Sequence, residues 1–154
     1  MQRVDLRTRP NILKIALTLA SLAVMMLVLA APAMASTDTY HATFVEVGGL
    51  TETGSCGSAT ISGFGHVAHQ CVVFDACGPN CEERTVTFND GSMLVIHESI
   101  VDTILHGNSA GFLVITQTIV GGTGRFAGAT GSGTGVVNLD ANAVIIASGT
   151  ITLP

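Results

Sequence analysis

The chain has 154 residues, is 47% hydrophobic and carries a formal charge of −5. That length supports one core. Six lysines and arginines against eleven carboxylates leave no basic footprint for nucleic acid.

In chain order, Arg3, Arg7, Arg9 and Lys14 form a basic leader, and Ile15 to Ala31 is apolar and uncharged. Ala33-Met34-Ala35 then places small residues three and one positions before Ser36. This order predicts a secretory signal peptide over 1–35 and a single domain over 36–154. The expected location is extracytoplasmic. An uncleaved membrane anchor is the alternative, because the apolar stretch approaches the lower limit of a span. Cleavage leaves Arg84 and Arg125 as the only lysine or arginine side chains against ten carboxylates, a formal charge of −8. Such a chain offers nothing to an anionic membrane surface.

All 18 glycines lie after residue 35, and no window sustains a helical period. Alternation begins at Thr39 to Val47, with Tyr40, Ala42 and Phe44 on one face. Gly48-Gly49 ends that strand. Ser58 to Val67 reads as a strand interrupted at Gly63 and Gly65, and Gln70 to Asp75 as a short apolar strand. Residues 77–84 read as a cysteine-bearing loop. Arg84 to Phe88 and Ser92 to Ile96 flank Asn89-Asp90-Gly91, a strong hairpin signal. Ser99 to Leu105 alternates again before the turn His106-Gly107-Asn108. Gly111 to Val120 is a β-branched run. Gly133 to Leu139 and Ala143 to Leu153 form a last hairpin around Asp140-Ala141-Asn142. About eight short strands with short connections predict an all-β antiparallel barrel or sandwich.

Four cysteines, Cys56, Cys71, Cys77 and Cys81, follow the leader. An even count in an exported chain reads as two disulfides. The Pro79-Asn80 centre suits a tight turn joining Cys77 to Cys81, with Cys56 and Cys71 bridging neighbouring strands. Pairing Cys71 with Cys77 and Cys56 with Cys81 also closes compact loops.

The segment Ile119-Val-Gly-Gly-Thr-Gly-Arg-Phe-Ala-Gly-Ala-Thr-Gly131 resembles the motif of dirigent proteins and the related allene oxide cyclase-like barrels. Gly121, Gly122, Thr123, Gly124 and Phe126 match it, and Gly131 fits its later glycine. The resemblance covers about 13 residues; elsewhere it is architectural. It implies a small eight-stranded antiparallel barrel of the calycin type, often assembled as a trimer. The matching residues are read as fold determinants, with Phe126 a plug for the core. Dirigent proteins typically carry an arginine where Thr130 stands here, and no catalytic residue is carried over.

The candidate chemistry is sparse. Gly122-Thr-Gly124 with Gly128 lacks the following helix that a dinucleotide loop needs. His66, His69, Cys71, Cys77 and Cys81 cluster in sequence, yet match no zinc spacing, and disulfides account for the sulfurs. No metal or cofactor is expected. His97 and Glu98 are one apart and point to opposite faces of a strand. Glu98 and Asp102, four apart, share a face on a regular strand. They are the first residues to consider for acid–base work, with a solvated outer face as their ordinary setting. Asp75 is a further acidic candidate without a positional argument. No nucleophile elbow occurs. The expected function is a binding or scaffold domain for a small apolar ligand or a protein partner. The alternative is a cofactor-free cyclase, isomerase or dirigent-like enzyme that orients an apolar substrate.

Overall fold

Alternating inward and outward side chains run through eight strands in the computed structural model, which describes residues 35–47, 53–139 and 143–154. The strands are β1 (Ser36–Val45), β2 (Gly54–Ile61), β3 (Val67–Gly78), β4 (Cys81–Phe88), β5 (Met93–His106), β6 (Ser109–Thr123), β7 (Thr130–Asn138) and β8 (Val144–Leu153). Each pairs antiparallel with the next, and β8 returns to β1 in an unbroken register from Ser36↔Leu153 to Val45↔Val144. The barrel is closed and leaves no free sheet edge. Among the described residues no helix is long and apolar enough to cross a membrane. The signal-peptide reading falls, except for Ala35, outside the described residues, as do Gly48-Gly49 and the turn at Asp140-Ala141-Asn142.

Strand reversal gives the barrel two ends. The C-terminal ends of β1, β3, β5 and β7 lie at one end, here the loop end. Those of β2, β4 and β6 lie at the other, together with Ser36 and Leu153. This second end is plugged. The turn of 3-10 helix Gly124–Phe126 folds Phe126 inward, where it is fully buried. Its ring lies 4.8 Å from that of Phe88 and 5.8 Å from that of Phe64. The Arg125 guanidinium caps the plug from outside, over both Phe88 and Phe126. It also donates to the Phe64 carbonyl and lies 3.4 Å from an Asp90 carboxylate oxygen. Gly124 has φ +59, a left-handed conformation that a side chain strains.

Three boundaries differ from the sequence expectation. The glycines at 63 and 65 do not interrupt one strand; they form the connection between β2 and β3. The 77–84 segment is no loop. β3 continues to Gly78, Pro79-Asn80 makes a two-residue turn, and β4 begins at Cys81. Asn80 supplies the positive φ that this turn needs, and its N–H donates to Asp75 Oδ1. Ser92–Ile96 and Ser99–Leu105 are not separate strands: β5 begins at Met93 and runs unbroken to His106.

The disulfides are Cys56–Cys71 and Cys77–Cys81. The first joins directly opposed residues of β2 and β3, and the second closes the β3–β4 turn.

Candidate functional site

Inward positions of β4, read from the plug, are Phe88, Val86, Arg84 and then Glu82. Arg84 is thereby carried into the middle of the barrel, where it is 1% exposed. A buried guanidinium demands partners, and neighbouring strands supply them. Arg84 Nε donates to Glu98 Oε1 at 3.0 Å, and Nη2 donates to Glu98 Oε2 at 2.9 Å, a bidentate pair. Nη2 also donates to Glu46 Oε1 at 3.1 Å, and Nη1 to Gln70 Oε1. The guanidinium carbon stands 4.6 Å from the centre of the Phe44 ring.

The network extends to the far wall. Gln117 Nε2 donates to Glu98 Oε1 at 2.7 Å, and the Tyr40 hydroxyl donates to Gln117 Oε1 at 2.6 Å. Room for the Tyr40 hydroxyl exists because β7 carries Gly133 opposite it: a β-carbon there would stand 2.3 Å from that oxygen. Burial, aided by the Glu98 charge, raises the Tyr40 hydroxyl to about 12, so Tyr40 is a donor at physiological pH. Burial alone would lower the Arg84 pKa; Glu98 and Glu46 reverse this and raise it, which keeps the guanidinium charged.

Above this polar layer, toward the loop end, lies a cavity of about 170 Å³. Phe74, Ile100, Leu113, Ile115, Val137 and Ile145 form its apolar wall, and its charged groups are Glu46, Glu82 and Arg84. Eight strands are enough to enclose one small ligand beside a packed core. Glu82 is half-buried, and its carboxylate accepts no hydrogen bond from the described residues. Its pKa is raised to about 7, first by burial, then by the Glu98 charge; Arg84 opposes the shift, and Glu46 and Asp75 add to it. A carboxyl group near neutrality can both give and take a proton at pH 7.

The sequence candidates separate. Glu98 and Asp102 share a face only on a regular strand, and β5 is irregular between them. Ile100 pairs with Ile115 and Asp102 with Val114, which leaves Val101 as an extra residue. This bulge reverses the alternation. Glu98 points into the barrel and is 1% exposed, which corrects the solvated setting expected for it; Asp102 is exposed. Asp75 is exposed at the β3–β4 turn. His66 and His69 are exposed and do not gather the cysteines around them. Among the described residues, the group close enough to hold a cation is Cys77, Cys81 and His97, but its two sulfurs are bonded to each other. His97 Nε2 lies 3.2 Å from Glu83 Oε2 on the outer face.

Arg84, Glu46, Glu82, Gln70, Gln117 and Tyr40 escaped the sequence reading as a site. The signal for two of them was present. The Asn89-Asp90-Gly91 hairpin fixes the phase of β4, and counting back by twos from Phe88 reaches Arg84 and Glu82. Taking 77–84 as a loop hid that phase.

No family model, no curated protein and no solved structure matches this chain.

Proposed function

We propose that this chain is an exported binding protein for one small, largely apolar molecule bearing a single polar group. The cavity carries this reading: an apolar wall on one side and Glu46, Glu82 and Arg84 on the other is the division of labour of a ligand pocket. Its size sets the ligand. An apolar cavity of about 150 Å³ holds a benzene molecule, so 170 Å³ suits one ring or a short branched chain. Two disulfides support folding in an oxidising compartment, in keeping with a leader removed after Ala35. Membership of the dirigent and allene oxide cyclase-like group belongs to the same proposal and rests on Gly121, Gly122, Thr123, Gly124, Phe126 and Gly131.

A second reading is a cofactor-free isomerase or cyclase. The observation that favours it is Glu82, whose carboxyl titrates near neutrality beside an apolar cavity.

Calorimetric titration with toluene and benzyl alcohol tests the binding reading. One molecule of ring size is expected to bind per chain. At a free concentration 100 times Kd, it stabilises the fold by about 2.7 kcal/mol. Val137→Phe, which fills the cavity, is expected to abolish this binding while the protein stays folded. Saturation of neither ligand, or equal binding by the filled variant, refutes the reading.

A further inference from the structure

We infer that the cavity is selective for a small hydrophobic amine, bound as its ammonium ion with the nitrogen at Glu82 and Glu46 and the apolar body against Phe74, Leu113 and Val137. This rests on the binding reading above and names its ligand class.

The first argument is a count of donors and acceptors. Arg84 is the cation at the cavity, and its N–H groups already serve Glu98 twice, Gln70 and Glu46. One face of its planar guanidinium lies against the Phe44 ring. It therefore has little left to offer an anion. The buried donor without a partner in this network, Gln70 Nε2, does not line the cavity. Accepting capacity is in surplus. The Glu82 carboxylate receives no hydrogen bond from the described residues, and Glu46 is engaged through Oε1. A complementary ligand brings donors. An ammonium brings three, a hydroxyl one and a carboxylate none.

Charge gives the same answer independently. Three carboxylates, Glu46, Glu82 and Glu98, face one guanidinium inside the barrel. Fully ionised, this interior carries two uncompensated negative charges. The groups bearing on Glu82 are Glu98 from β5, Arg84 on β4, Glu46 after β1 and Asp75 on β3. A proton on Glu82 relieves that excess. A bound cation relieves it without the proton. An anionic ligand of the same size aggravates it.

Size completes the description. The cavity accepts about one ring beyond the nitrogen, so the probes are benzylamine, benzyl alcohol and benzoate, equal in shape and different in charge. Each is titrated into the purified protein at pH 6 and pH 8. At pH 8 benzylamine is expected to bind about tenfold tighter than benzyl alcohol, the difference between a charge-assisted and a neutral hydrogen bond. Benzoate is expected to bind weakest. Benzylamine should bind more tightly at pH 8 than at pH 6, because the ammonium persists while Glu82 gives up its proton; benzyl alcohol should change little. In Glu82→Gln the amine preference and its rise with pH should disappear while benzyl alcohol still binds. Benzyl alcohol binding as tightly as benzylamine at pH 8, or benzoate binding most tightly, overturns the amine assignment and leaves the binding reading standing. Binding of none of the three overturns both. Should Glu82→Gln not fold, the order and pH dependence in the wild-type protein decide the matter alone.

Discussion

Glu82 stands where four elements bring charge together. Beside it on β4 is Arg84, directly opposite on the neighbouring β5 is Glu98, and Glu46 and Asp75 approach from just after β1 and from β3. Its pKa in the folded protein, about 7 against an ordinary 4.5, has a consequence for stability. The folded state holds this proton more tightly than the unfolded chain, so the contribution is fully present below pH 4.5. It declines as pH rises toward 7 and is gone above. Glu82→Gln is expected to be more stable than the wild type at pH 8 by about 1–2 kcal/mol, allowing for solvent at a half-exposed carboxylate. The two should converge near pH 4. Urea denaturation across that range checks this, and a difference that does not change with pH contradicts it. Arg84 teaches the complementary lesson. Its own sequence neighbourhood, Glu82-Glu83-Arg84-Thr85, reads as a polar segment. Its partners Glu46, Gln70 and Glu98 lie 14 to 38 positions away. No local pattern assembles them.

At the scale of the element, the Gly121–Gly131 segment does several jobs in eleven residues. It ends β6, turns through Gly124, drops Phe126 into the barrel and starts β7. The glycine alternation of β7 stands plainly in the sequence, Gly131-Ser-Gly-Thr-Gly135. Its purpose does not: the inward positions Gly131, Gly133 and Gly135 lack side chains, and this leaves space for Ile119, Tyr40 and Ile115 from other strands. Phe126→Ala is expected to cost about 3–5 kcal/mol in chemical denaturation. The lost ring leaves Phe64 and Phe88 facing a void and removes one of the two surfaces on which Arg125 stacks. A loss below about 1 kcal/mol would mean that the plug is dispensable. The hairpin at Asn89-Asp90-Gly91 and the inward face of β1, with Tyr40, Ala42 and Phe44, were readable because turn chemistry and period-two alternation are local. The β5 bulge was not, since Val101 is extra only relative to β6.

For the whole molecule, the covalent links and the closure of the sheet act together. Cys56–Cys71 spans 15 residues and is expected to contribute about 3 kcal/mol by restricting the unfolded chain. Cys77–Cys81 spans four and contributes less. Protein recovered after export is expected to begin at Ser36 and to show no titratable thiol when denatured without reductant. Reduction should lower its denaturation midpoint. A full-length N-terminus on folded material, or four reactive thiols, would contradict this.

Composition and patterning by themselves determined an all-β chain of about eight strands, its hairpin turns, the identity of the plug residue and an even set of cysteines. Each depends on residues close together in sequence, where glycine, turn dipeptides and alternation act directly on the backbone. Tertiary structure alone decided the closure of β8 on β1 and the choice of disulfide partners. It also decided the placing of Glu98 inside and Asp102 outside, and the meeting of Glu46, Glu82 and Arg84 at one cavity. These follow from register between strands. A single added residue reverses every side chain beyond it, and a charge finds its partner only once the barrel has closed.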